Sequence, residues 1–213
     1  MRLLGIALAL ALGGCSAAPT QSAPGPSPNA ADPTASAPPS GFDGALLPAG
    51  LPPHDFALTD PRGRRVDLRS YRGRVVILTF LSTLGTRSSP LIAQQIRGAL
   101  DDLERPVPAL ALTANPAADT PAHIRRFLSE ASLLGRLTYL TGPPARLRPI
   151  WRAYHVVPVS GSANGGAGGR TRAFDRAATV ILIDPQGRER VVFGVEQLTP
   201  EGLAHDVQRL QGP

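Results

Sequence analysis

A single cysteine, Cys15, occurs in the 213 residues, and the only methionine is Met1. From about Phe56 onward the chain therefore carries neither thiol nor thioether. That excludes disulfide exchange, a cysteine peroxidase mechanism and sulfur-based metal binding in this region. Lysine is absent too, so all 22 basic residues are arginine. Without a following Lys-Ser/Thr, the glycine-rich stretch Ser160–Gly169 reads as a flexible loop and not as a phosphate cradle. The four histidines, His54, His123, His155 and His205, form no His-x-x-x-His or Glu-x-x-His pair. They read as surface residues, with His54 and His155 the alternative pair for a surrogate metal site. No Gly-x-Ser-x-Gly context surrounds Ser88 or Ser89, so neither reads as an activated nucleophile.

The chain begins with Met1-Arg2, a minimal positive segment, followed by the apolar run Leu3–Leu12. That run has the length of a signal core and is too short to span a bilayer as a stable helix. It ends in Leu12-Gly13-Gly14-Cys15, which resembles the cleavage box of a bacterial lipoprotein. This implies a signal peptide over 1–14 and a diacylated Cys15 anchored in membrane lipid, which consumes the only thiol. The segment after it is dominated by Pro, Ala, Ser and Gly, without hydrophobic periodicity and with almost no charge. Such a composition cannot bury enough apolar surface to offset the entropy of ordering, and frequent proline makes it a semi-extended tether. The expected organisation is signal 1–14, lipidated cysteine and tether 15–50, and one folded domain over 51–213. A domain of that size can build a core without disulfides, so the lack of cysteine pairs does not argue against export.

The formal charge is +6. Export argues against nucleic acid as a partner, and none is expected. Six arginines fall between Arg62 and Arg74, around the turn at Pro61-Arg62-Gly63. They read as a solvated hairpin, with anionic headgroups or an acidic partner as the alternative.

Hydrophobic spacing predicts the folded elements. Phe56-Ala57-Leu58 and Arg65–Leu68 flank the turn as a β-hairpin. Val75–Phe80 is almost wholly apolar, as a buried central strand should be. A helix follows, capped by Ser88 or Ser89 with Pro90 in its first turn and Leu91, Ile92, Ile96, Leu100 and Leu103 on one face. Strand Val107–Leu112, a helix opening at Thr120-Pro121, strand Leu137–Leu140 and a helix over Ala145–Tyr154, bent or shortened at Pro149, come next. Trp151 and Tyr154 belong to the core. Thr179–Ile183 and Arg190–Val195 form a hairpin around Asp184-Pro185-Gln186-Gly187, and Thr199-Pro200 starts the closing helix. This order is that of an α/β domain with a mixed central β-sheet flanked by helices and an N-terminal β-hairpin.

These segments resemble the Sco/SenC family of thioredoxin-fold copper chaperones over most of Phe56–Leu210. Val75–Thr83 and Pro90 resemble the strand entering the family's active-site loop and the proline after its second cysteine. Thr113–Pro121 resembles an Asp-Pro-x-x-Asp-Thr-Pro stretch, Leu140-Thr141-Gly142 a Leu-Thr-Gly element, and Asp175–Gly187 an Asp-His followed by a Leu-Ile-x-Pro-x-Gly hairpin. The resemblance implies a thioredoxin-like fold. It also implies a copper site of Cys-x-x-x-Cys and a distant histidine, used in assembling the copper centre of cytochrome c oxidase. Two thiolates and an imidazole suit a soft copper ion.

Carried onto this chain, the ligand positions are Gly85, Ser89 and Arg176: no side chain, a hard neutral hydroxyl and a permanent cation. The expectation is thus a membrane-anchored, extracytoplasmic, monomeric lipoprotein that is not an enzyme and holds no copper or other cofactor. It would be an accessory in oxidase copper-centre assembly, with an oxidase subunit or assembly factor as partner. An alternative is an anion- or carboxylate-binding lipoprotein, using Arg87, Ser88, Ser89 and Arg176 at a helix N-terminus. Its bland counterpart has Arg176 paired with a nearby carboxylate. The lesser alternative is an active copper chaperone with unidentified ligands.

Overall fold

The computed structural model describes residues 41–48, 54–159 and 168–212. The signal segment, Cys15, most of the tether and residues 160–167 of the glycine-rich stretch lie outside the described residues.

The run Val76–Leu81 is the hub of the fold because every one of its residues is buried. As strand β4 it pairs in parallel with β5 (Ala109–Thr113) and antiparallel with β7 (Thr179–Ile183). A strand covered on both faces needs apolar side chains in both directions, and only an unbroken apolar run supplies them. Its one polar residue, Thr79, donates its hydroxyl to the carbonyl of Thr179 at 2.8 Å, so no buried donor is left open. The six-stranded sheet runs β1-β8-β7-β4-β5-β6. Here β1 is Ala45–Leu46, β6 is Leu137–Leu140 and β8 is Glu189–Gly194. The hairpin expected before it, β2 (Ala57–Thr59) and β3 (Arg65–Asp67), stands as its own two-stranded sheet.

Among the described residues five α-helices flank the strands: α1 (Ser88–Asp102), α2 (Pro121–Glu130), α3 (Pro144–Ala153), α4 (Gly168–Ala177) and α5 (Pro200–Gln211). Thr120 and Thr199 cap α2 and α5, their hydroxyls accepting the N–H of His123 and Gly202, with proline at the next position. Each such cap contributes about 1 kcal/mol. Pro149 lies inside α3 without ending it. Trp151 and Tyr154 are buried, and the Trp151 indole N–H reaches the carbonyl of Thr113 at 3.0 Å. Leu91, expected on the inner face of α1, is 43% exposed.

Two elements depart from the sequence expectation. Residues 41–48, assigned to the tether, belong to the domain: β1 pairs with β8. The fully buried Asp206 of α5 accepts the N–H groups of Asp43 and Gly44, both at 2.9 Å. Gly44 is required there because a Cβ would sit 2.5 Å from Val191 Cγ1. A two-residue strand has too little periodicity to be read, and its anchor is 162 residues away. The end of the stretch expected to be a glycine-rich loop, Gly168-Gly169, opens α4, which no apolar periodicity announced.

Candidate functional site

The C-terminal end of β4 leads into the loop Ser82–Arg87 and then α1, the place where the resemblance puts a metal-binding loop. Its inner side is a closed set of hydroxyls around one carboxylate. Asp119, 3% exposed, accepts the Thr83 N–H at 2.8 Å and the Thr83 hydroxyl at 2.7 Å on one oxygen. Its other oxygen accepts the Thr113 hydroxyl and faces the Tyr139 hydroxyl at 2.7 Å. Burial first, and then the Asp119 charge beside it, hold the Tyr139 phenol well above its ordinary range. It stays protonated, and its proton serves Asp119 or the carbonyl of Leu81 at 2.9 Å.

Ser89 belongs to this inner side. It is wholly buried, and its hydroxyl oxygen accepts the Ser82 N–H at 3.0 Å and the Thr86 hydroxyl at 2.7 Å. The loop is thereby tied across its own mouth by a side chain that is engaged on both bonds. Gly85, at the crest, has φ +77°, and a Cβ added to it would meet nothing within 4 Å. There is room for a side chain, but the left-handed backbone disfavours any residue other than glycine.

The outer side is different. Asp175 of α4 lies against the start of α1 and accepts the N–H groups of Arg87 (3.1 Å) and Ser88 (2.9 Å) and the Ser88 hydroxyl (2.7 Å). The helix is capped from another element, and neither Ser88 nor Ser89 is its N-cap: that position is Arg87, which makes no side-chain cap. Arg87, Ser88, Arg172, Asp175, Arg176 and Glu196 line a groove of 940 Å³ with Leu91 on its wall. Three of the four residues expected around an anion, Arg87, Ser88 and Arg176, therefore meet in one groove, while Ser89 is turned into the protein. The N–H groups that an external anion would use are already bonded to Asp175.

The donor chemistry at the three positions does not fit copper. Gly85 has no donor atom, the Ser89 oxygen is engaged by two donors, and Arg176 carries a fixed positive charge. His54 and His155 do not supply a substitute. His54 Nδ1 lies 2.8 Å from Glu189 Oε1, His155 is exposed with φ +53°, and neither joins a three-ligand cluster among the described residues. One cluster that sequence reasoning missed, Asp43, His205 and Asp206, sits at the β1 latch. Both Asp206 oxygens there are spent on backbone N–H groups, and His205 Nδ1 bridges to Asp43 at 2.8 Å.

Residues 50–212 match the SCO1/SenC family. The chain belongs to that family. Its fold is thioredoxin-like, as the solved Sco proteins share it. It is 28% identical over 148 residues to the mitochondrial protein SCO2 homolog of Bos taurus, covering 67% of this chain and 54% of the bovine one. The chain thus spans about half the length of that curated relative. Copper-bound ScoI of Bradyrhizobium japonicum is similar at 25% identity and a TM-score of 0.56, covering 75% of this chain and 99% of that one. Apo Sco1 of Thermus thermophilus is similar at 23% identity and a TM-score of 0.62, covering 79% and 96%. The Sco/SenC family takes part in the copper assembly of cytochrome c oxidase.

Proposed function

We propose that this Sco/SenC protein is a non-redox accessory in cytochrome c oxidase copper-centre assembly that has lost the copper site of its relatives. The observation that carries this reading is Ser89. At a position where the family resemblance places a thiolate, the chain has a buried hydroxyl bonded to Ser82 and Thr86. The loop is thus closed by hydrogen bonds alone, and a protein with no thiol in its folded part neither reduces a disulfide nor passes copper between thiolates. Retention of the fold with a rebuilt loop suits a protein that contacts the same partners, an oxidase subunit or an assembly factor, without carrying the metal. It acts as a monomer, held at the extracytoplasmic side of the cell membrane by a lipid on Cys15 and a tether. The lipoprotein box at Leu12–Cys15 supports the anchor, and no helix among the described residues is long and apolar enough to cross a membrane.

The test is a copper(I) titration of the protein under reducing conditions against a chromogenic chelator. No competition is expected. The triple substitution Gly85→Cys, Ser89→Cys and Arg176→His should restore chelator competition, because the scaffold around the loop is retained. Stoichiometric copper binding by the unsubstituted chain would overturn the reading. So would normal oxidase activity and copper content in a strain lacking the protein.

The anion-binding alternative has less support. An anion in the groove would meet the Arg87 and Arg176 side chains but not the helix N–H groups, which Asp175 holds.

A further inference from the structure

From Ala131 to Phe174 the chain contains six arginines and no acidic residue. Three of the six, Arg146, Arg148 and Arg152, fall on α3, and all three are exposed. On α1 and α2 the chain pairs an arginine with a carboxylate one turn later. Arg97 bridges to Asp101 and Arg126 to Glu130, each at 2.7 Å. On α3 no position holds an acid. No carboxylate from elsewhere among the described residues pairs with its three guanidiniums either.

By local criteria α3 is a poor helix. It has no side-chain cap, no acid in its first turn and Pro149 in its interior. Arg146 stands in the first turn, at the positive end of the helix dipole, where a cation is disfavoured. Arg148 and Arg152 are four residues apart, which makes two like charges neighbours on the helix surface. Arg152 gains from its place in the last turn, and Arg148 gains nothing comparable. What holds the helix is its inner face, where Leu147 and Trp151 are buried. Its outer face, with Ala145 and Pro149 exposed beside the arginines, carries a charge pattern that helix stability disfavours.

We infer that the outer face of α3 is a docking surface for an acidic partner protein. The partner presents carboxylates to Arg148 and Arg152, about 6 Å apart along the helix axis, and to Arg146 beside them. Charge complementarity selects this occupant. A guanidinium pairs with a carboxylate through two parallel N–H···O bonds, and unpaired arginines repel a basic surface. A bilayer is a poorer match. Helices that lie on membranes insert an apolar face among the headgroups, and the apolar face of α3 is already buried in the domain. The surface uses none of the residues that line the groove beside the Ser82–Arg87 loop, so the inference is independent of the proposed function.

The test uses the full chain and immobilised alanine-rich helical peptides with two glutamates four residues apart. Matched peptides carry glutamine or lysine at the same positions. Glutamate peptides should be captured, with capture weakening as salt rises, and the other two kinds should not be held. Arg146→Glu together with Arg148→Glu should weaken capture about tenfold or more. The thermal midpoint of that variant should rise, because one substitution puts an acid at the positive end of the helix and the other puts one four residues before Arg152. A merely solvated face would give the same rise with no capture to lose. Arg148→Gln with Arg152→Gln removes charge without reversing it and should weaken capture in the same direction. The same charge reversal on the hairpin, Arg62→Glu with Arg65→Glu, should leave capture unchanged. Absence of capture, undiminished capture by either α3 variant, or an equal loss in the hairpin variant would overturn the proposal. A lowered midpoint in the first α3 variant would overturn it too, by giving the arginines a structural role. So would phosphatidylglycerol vesicles held more tightly than the peptides and released by the α3 variants, which would assign the face to a membrane.

Discussion

The two sides of the Ser82–Arg87 loop obey different rules. On the inner side, Thr83, Thr113 and Tyr139 converge on the buried carboxylate of Asp119, and Ser82 and Thr86 on the buried hydroxyl of Ser89. On the outer side, Asp175 caps α1 while Arg87 and Arg176 stand exposed in an open groove. Burial makes the inner groups expensive to disturb, since a lost partner leaves a polar group dry. Exposure makes the outer ones cheap, since water replaces whatever is removed. The fold is held from inside the loop, and its chemistry is free to change outside it.

The largest expected effect comes from Asp119→Ala. It removes the acceptor of Thr83, Thr113 and Tyr139 together and should cost about 3 kcal/mol, read as a lower urea midpoint at unchanged slope. A loss under about 1 kcal/mol would mean that the inner network does not fix the loop. Ser89→Ala leaves the Ser82 N–H and the Thr86 hydroxyl without their acceptor in a buried place and should cost about 1.5 kcal/mol. The same measurement reads it, with faster hydrogen exchange at the Ser82 amide as the local signature. Asp175→Ala removes the cap of α1 and should cost about 1 kcal/mol, intermediate between the two sides.

Asp60 tests pH dependence at the hairpin. Burial alone would raise its carboxyl, but hydrogen bonds from the Arg64 side chain and from the Arg64 and Arg62 backbone outweigh it and place the group below the ordinary aspartate range. A depressed carboxyl contributes stability that is present above the unfolded-state value of about 3.9 and lost as pH falls through the folded-state value. Asp60→Asn should therefore flatten the acid limb of a stability–pH profile below about pH 4. An unchanged acid limb would mean that these bonds do not distinguish the charged form. The smallest effect is expected from Arg176→Ala, within about 0.5 kcal/mol of the unsubstituted protein. A larger loss would make Arg176 part of the scaffold and blur the contrast between the two sides.

Much of the architecture was legible because it rests on short-range patterns. The apolar run of β4, the helical spacing of Ile92, Ile96 and Leu103, and the Thr-Pro openings of α2 and α5 each appear within one segment and survive in the structure. What escaped has no local pattern. β1 is two residues long and is held by Asp206, and α4 follows a glycine-rich stretch with no apolar stripe. The candidate site was legible in part. Gly85, Ser89 and Arg176 stand at positions that family-like segments mark, yet the sequence could not say that Ser89 points inward or that Asp175 occupies the start of α1. A hydroxyl's partners are chosen across space, and Ser88 and Asp175 are 87 residues apart.

By itself the sequence determined three things about this protein. It has no thiol in the folded part, it has the hydrophobic periods of an α/β domain, and it carries segments that match the SCO1/SenC family. Composition and spacing suffice for these because a missing atom cannot be supplied by folding, and periodicity reports which face of each element is buried. Only the tertiary structure decided that the loop is tied by Ser89, that the α1 N-terminus is filled by an internal carboxylate, and that Arg146, Arg148 and Arg152 stand exposed on α3. Those facts depend on contacts between segments far apart in the chain, and such contacts are set by how the layers pack and not by any local preference.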